Sequence, residues 1–263
     1  MELGLENRVA IVCGASKGIG KAISKGLAAH GANVCLISPD PSVLDETVAD
    51  LSADGFGEAV ALAGDVTDPA LAKKALKAVI DRWGRVDILV NNAGGPPPGG
   101  FLEHDDETWT AAFELNLMSA IRFTRAVAPV MKDRRWGRIV NVTSTLAKEP
   151  TPQMVLSATI RAGVSTFSKA IAAELAPFNI TINTVCPGGV KTDRLVSLFS
   201  EIARKNGKDP QELIRNSEES IPIGRFAEAD EFAQMVLFLL SEKGSYVTGT
   251  TISIDGAATK SVF

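Results

Sequence analysis

The chain has 263 residues, 45% of them hydrophobic and 22% charged, with a formal net charge of −4. This is the composition of a globular protein with a sizeable core, which excludes a disordered chain, and the absence of any basic block leaves no electrostatic footprint for nucleic acid or an anionic membrane. No run reaches the roughly 18 apolar residues that a membrane span needs, and the opening "MELGLENRVAIVCG" has no basic segment ahead of a long apolar one.

The expected setting is therefore cytoplasmic and the expected partner a small molecule, with no nucleic acid and no membrane. Cys13, Cys35 and Cys186 lie in or beside apolar runs and form no CxxC pair, so buried reduced thiols are expected. The two histidines, His30 and His104, are not spaced against a cysteine or carboxylate in any ligand pattern, so no metal site is expected.

Along the chain, short β-branched runs alternate with amphipathic stretches: "RVAIVC" then "GKAISKGLAAHG", "NVCLIS" then "SVLDETVADLSADG", "AVALAG" then "PALAKKALKAVIDRWG". The series continues through "VDILVN", one helix over "ETWTAAFELNLMSAIRFTRAVAPVM", then "GRIVNVTS", a further helix, "ITINTVC", a helix at "EADEFAQMVLFLLSEKG", and "TTISID". Repeated βαβ units predict an α/β fold: a single doubly wound Rossmann-type domain over residues 1–263, its seven-stranded parallel sheet covered by helices on both faces. Two irregular pieces leave carboxyl ends of strands, where such sheets bind ligands. One is "GGPPPGGFLEHDDE" after the fourth strand; the other is an insert at about 193–225 whose helical spacing of apolar and charged residues fits a substrate cover.

"VCGASKGIG" places Gly14, Gly18 and Gly20 at the turn from the first strand into the first helix. Glycine there lets backbone N–H groups approach a pyrophosphate, and the helix N-terminus favours its negative charge. The spacing GxxxGxG alone is also that of a tight turn with no ligand. Further on, "LSATIRAG" sets Ser157 and Arg161 four apart on one helical face, beside a stripe of Ile160, Val164, Phe167, Ile171 and Leu175 that packs inward. A hydroxyl and a guanidinium one turn apart also occur on ordinary solvated helices.

Eight pieces in order carry a resemblance over essentially the whole chain: "GASKGIG", "GDVTD", "NNAG", "NLMSA", "IVNVTS", "CPGGVKT", "IPIGRF" and "SYVTGTTISIDG". In these the sequence closely resembles the short-chain dehydrogenase/reductase family, and in particular its 3-oxoacyl-acyl-carrier-protein-reductase-like members. The resemblance implies a dinucleotide cofactor. Ser16, Lys17 and Ile19 would join Gly14, Gly18 and Gly20 at its phosphates, and Asp65 and Val66 would hold the adenine. Asn92, Ala93 and Gly94 would border the ribose, and Pro187, Gly188, Val190 and Thr192 would contact the nicotinamide side. Lys17 favours an added 2′-phosphate, and Ser38 replaces the acidic residue that would bond a free ribose hydroxyl, so NADP is preferred over NAD by a modest margin; Pro39 stands where many NADP users carry arginine. The resemblance also implies a homodimer or homotetramer packed through the last helix and strand.

The family works through Asn, Ser, Tyr and Lys, the last two as YxxxK in the helix after the fifth strand. Asn116 and Ser144 match the first two. Thirteen residues after Ser144, where the tyrosine belongs, stands Ser157, and the lysine's place is Arg161. The chain's one tyrosine, Tyr246, falls near the last strand. A phenol exchanges a proton with a carbonyl oxygen more readily than a serine hydroxyl does, and Arg161 holds its proton but offers a fixed positive fork for an oxyanion.

The leading expectation is an NAD(P)-dependent oxidoreductase acting on a small carbonyl or alcohol, with Asn116, Ser144, Ser157 and Arg161 as catalytic candidates. One alternative is a dinucleotide-binding pseudoenzyme or sensor, in which Ser157 and Arg161 are drift. Another is a non-redox enzyme similar to halohydrin dehalogenases, whose Ser-Tyr-Arg site Arg161 fits and Ser157 does not. Ser144 also reads as a strand terminator, Asn116 as a helix-bending residue, and His104 in "EHDDE" as part of a solvated loop edge.

Overall fold

The computed structural model describes residues 2–53 and 57–262. Its first strand, β1 (Val9–Cys13), shows why the fold has two faces: Ala10 and Val12 enter one hydrophobic cluster, while Val9, Ile11 and Cys13 enter another on the opposite side. Every residue of β1 is buried, as expected of a central parallel strand with helices on both sides.

The remaining strands are β2 (Asn33–Ser38), β3 (Ala59–Ala63), β4 (Ile88–Asn91), β5 (Gly137–Val142), β6 (Ile180–Pro187) and β7 (Thr251–Ile254). All seven run parallel in the order β3-β2-β1-β4-β5-β6-β7. Helices α1 (Gly18–Ala29), α2 (Pro41–Ala53) and α9 (Ala229–Leu240) lie over the first cluster through residues such as Leu27, Leu44 and Phe232. Helices α3 (Leu71–Trp83), α5 (Ser119–Arg134) and α6 (Val155–Leu175) lie over the second through Val79, Phe123 and Leu175. Each fully buried aliphatic or aromatic side chain stabilises the domain by about 1.5–3 kcal/mol.

The chain winds outward from β1 to β3, then returns to place β4 on the other side of β1. The loops leaving β1 and β4 therefore diverge, and a crevice opens between them at the carboxyl edge of the sheet.

One element differs from its sequence reading. The single helix expected over "ETWTAAFELNLMSAIRFTRAVAPVM" is α4 (Asp106–Phe113), then one π-helical turn at Glu114–Met118, then α5. A π turn takes an extra residue into the helix and rotates what it carries; here it brings Asn116 into the interior. The stretch after β6 forms α7 (Asp193–Asn206) and α8 (Pro210–Ser220), each opened by a side-chain cap, from Thr192 and Asp209. Among the described residues no helix is long and apolar enough to cross a membrane.

Candidate active site

The glycine loop is packed too tightly to hold side chains. A Cβ at Gly14 would stand 2.0 Å from the Asn92 carbonyl oxygen, and one at Gly20 would stand 2.0 Å from the Gly14 carbonyl oxygen. Gly14 also has a φ of +62°, in the left-handed region. Asn92 ties the two loops together, its side-chain N–H donating to the Gly14 carbonyl at 3.2 Å. No side chain caps the N-terminus of α1, and Gly18 and Ile19 of its first turn line the crevice, an arrangement able to receive an anion.

A cleft of about 340 Å³ runs from this loop across the ends of β4, β5 and β6. It brings together Gly14, Ser16, Lys17, Gly18, Ile19, Asn92, Ala93, Gly94, Pro187 and Thr192 with Arg161. The Ser38 hydroxyl sits 2.9 Å from that of Ser16, at the end of β2. Asp65 accepts from the N–H and hydroxyl of Thr67, and Val66 lines a small chamber adjoining the cleft. Gly20, Gly188 and Val190 are not among the residues lining the cleft: Gly20 packs on Gly14, Gly188 packs against Asp255, and Val190 is buried in the core.

The small chamber is lined by Asn91, Asn92, Asn116, Asn141 and Arg161 among others. From the π turn, Asn116 donates to the Gly94 carbonyl at 2.7 Å, while its Oδ1 is buried without a partner. Arg161 donates through Nη1 to the main-chain carbonyl of Thr143, and its Nε is also buried without a partner. An unpaired buried donor and an unpaired buried acceptor thus border one small chamber, an arrangement that costs stability unless something bridges them. Burial, followed by repulsion from Arg194, pushes the Arg161 guanidinium down to about 10. It stays charged at neutral pH.

Ser144 caps a short turn at Thr145–Ala147, its hydroxyl accepting from the Leu146 N–H at 3.2 Å. Ser157 is buried one turn before Arg161 on α6. Neither serine is among the residues lining the cleft or the chamber. Tyr246 is fully exposed, and His104 lines neither cavity, its ring lying against Gly99.

The family described as Enoyl-(Acyl carrier protein) reductase matches residues 14–259. The chain is a short-chain dehydrogenase/reductase. It is 35% identical to the 2,3-dihydro-2,3-dihydroxybenzoate dehydrogenase of Bacillus subtilis (strain 168), over 98% of each chain. It is 37% identical to a 3-oxoacyl-(acyl-carrier-protein) reductase of Vibrio cholerae, over 97% of this chain and 98% of that one. Among solved structures, L-sorbose reductase from Gluconobacter frateurii, complexed with NADPH and L-sorbose, superimposes with a TM-score of 0.94 at 32% identity over the full length of both chains.

Two features of this short-chain dehydrogenase/reductase escaped the sequence reading. The Thr143 carbonyl, which anchors Arg161, is a main-chain group and leaves no mark in a side-chain motif. Arg194 lines the cleft and donates to the Gly95 and Pro96 carbonyls. Its signal was its place: a cation in the first turn of α7, where the helix dipole disfavours one.

Proposed function

We propose that this short-chain dehydrogenase/reductase is an NAD(P)-dependent oxidoreductase that reduces a carbonyl or oxidises an alcohol through a Ser/Arg site in place of tyrosine and lysine. The observation that carries this reading is Arg161, held by the Thr143 carbonyl at the floor of the cleft that the glycine loop enters. The cradle of Gly14, Gly18, Gly20, Ser16, Lys17 and Ile19 fits the phosphates of NADP or NAD, with Asn92, Ala93 and Gly94 along the ribose and Pro187 and Thr192 toward the nicotinamide. When bound, the nicotinamide supplies or accepts the hydride.

The chain's own groups supply charge and position. Arg161 presents a fixed guanidinium to the oxygen as it gains negative charge, an interaction strongest in the transition state. The Ser144 hydroxyl accepts only from Leu146, which leaves its proton free; it adjoins Thr143, which lines the cleft, and donates to that oxygen once its side chain turns toward the cleft. Arg161 does not release its own proton at neutral pH, so the proton arrives from water held at Asn116 Oδ1 in the chamber, or from the substrate; Ser157, which lines neither cavity, is not placed to hold that water. Lys17 and Ser38 favour NADP over NAD, in keeping with the NADPH in the L-sorbose reductase structure. Helices α7 and α8 cover the substrate. The exposed edge of β7 and the helix α9 pack a homodimer or homotetramer.

Titration with NADPH and NADH, followed by a panel of ketones and alcohols, tests the assignment. Saturable dinucleotide binding with turnover of one panel member is expected. Binding without turnover of any member would favour a second reading, a dinucleotide-binding sensor. That reading draws on the full exposure of Tyr246, which leaves no phenol near the cleft. No binding of either dinucleotide would remove both.

A further inference from the structure

Gly95 lies between two guanidiniums. A Cβ built on it would stand 3.5 Å from an Arg194 Nη2 and 3.6 Å from the Arg161 Nη2, one arginine coming from α7 and the other from α6. Both arginines and Gly95 line the cleft. Among the described residues, neither guanidinium has a carboxylate within ion-pair distance; Asp193, which also lines the cleft, precedes Arg194 without pairing to either. Arg161 is anchored by one main-chain carbonyl and Arg194 by two, which leaves further donors on each fork unused. Two like charges held this close repel, which adds to burial in lowering the Arg161 guanidinium. The missing side chain at Gly95 keeps open the space between them.

We infer that the substrate carries a carboxylate, which the Arg161 and Arg194 guanidiniums hold over Gly95. This rests on the oxidoreductase reading and narrows it to oxo acids or hydroxy acids. The geometry favours a carboxylate because two planar forks match its two oxygens and a bound anion removes the repulsion between them. The dinucleotide's own phosphates are the other source of an anion, and Lys17 with the glycine loop already serves them.

The test is calorimetric titration of the protein, with and without saturating NADP+, using two matched pairs: 2-oxobutanoate and its methyl ester, and 4-oxopentanoate and its methyl ester. NADP+ keeps these complexes from turning over a ketone. At least one acid is expected to bind about tenfold or more tighter than its ester, the scale of one hydrogen bond to a charged group. Gly95→Ala is expected to erase that difference. Its Cβ makes only ordinary contacts and its backbone is not left-handed, so the fold is retained, and an unchanged melting temperature checks this. Arg194→Gln gives the same loss while leaving the space over Gly95 open; because it also removes the bonds to the Gly95 and Pro96 carbonyls, its melting temperature is checked in the same way.

Equal binding of acid and ester in both pairs would overturn the inference, as would acid binding that survives both variants. Weaker NADP+ binding in the variants with acid binding unchanged would assign the guanidiniums to the cofactor phosphates and also overturn it. Failure of NADP+ to bind at all defeats the oxidoreductase reading separately. The titrations without NADP+ then still decide the carboxylate site.

Discussion

The guanidinium of Arg161, on α6, donates to the main-chain carbonyl of Thr143, one residue past the end of β5 and next to Ser144. The bond fixes the direction of the fork and couples the helix to the strand end that carries Ser144. A lysine ammonium reaching the same carbonyl lacks the second and third nitrogens that face the chamber and Gly95.

Arg161→Ala is therefore expected to lower kcat roughly a hundredfold, the usual loss on removing one donor to a developing oxyanion, and to raise KM for an acid substrate, with NADPH affinity nearly unchanged. Arg161→Lys should recover only part of this. The double change Ser157→Tyr with Arg161→Lys rebuilds the family's pair, and NADPH-dependent reduction of a neutral ketone should rise above that of the unaltered protein. Steady-state kinetics beside a fluorescence titration separate the two effects. A rate for Arg161→Ala and Ser144→Ala equal to that of the unaltered protein would place the chemistry elsewhere.

NADPH is expected to bind about tenfold tighter than NADH, a difference of ~1.4 kcal/mol. Lys17 lines the cleft, and Ser38 is held by its 2.9 Å contact with the Ser16 hydroxyl in the glycine loop. Ser38→Asp should reverse the preference, because a carboxylate there repels a 2′-phosphate and accepts from a free ribose hydroxyl. Lys17→Ala should bring the two affinities together. Dissociation constants for both dinucleotides with each variant provide the measurement.

Gly14→Ala should abolish dinucleotide binding and lower the melting temperature. The substitution forces an L side chain into a φ of +62° and a Cβ to 2.0 Å from the Asn92 carbonyl. The left-handed backbone alone costs roughly 1–2 kcal/mol, and the clash moves the loop after β4 that carries Asn92. Gly84→Ala is the control: its φ is +70° but nothing lies near its Cβ position, so the melting temperature falls while binding persists.

Glu231 opens α9 and accepts from Arg225 through both carboxylate oxygens and from the Glu228 N–H. The Arg225 hydrogen bond, then that N–H, hold its carboxyl down from the ordinary 4.5 to about 2. A folded value below the unfolded one means the ionised form favours the fold. That contribution is complete above about pH 4.5 and disappears as the pH falls toward 2. Glu231→Gln should therefore melt at a lower temperature at pH 7, with the gap to the unaltered protein narrowing below pH 4.5. Melting curves across that range check it; a gap independent of pH would assign the effect to the helix cap alone.

The order of strands and helices, the glycine turn and the positions of Ser157 and Arg161 were all legible in the sequence. Each depends on short-range periodicity or on spacing within one element: alternation in β1, the step of four along α6, and glycine where no side chain fits. The sequence also determined what the site lacks, since its one tyrosine lies far along the chain from the expected place. Tertiary structure decided the rest. The break of one long amphipathic stretch into α4, a π turn and α5 leaves the apolar pattern nearly intact, so periodicity did not reveal it, yet it is what turns Asn116 toward Gly94. The meeting of Arg161 and Arg194 over Gly95 joins three segments with no local relation to one another. Only the crossing of the chain from β3 to β4, and the return of α7 over the carboxyl edge of the sheet, brings those charges to one point. Long-range contacts of this kind are set by packing the whole core, and no short window of sequence contains them.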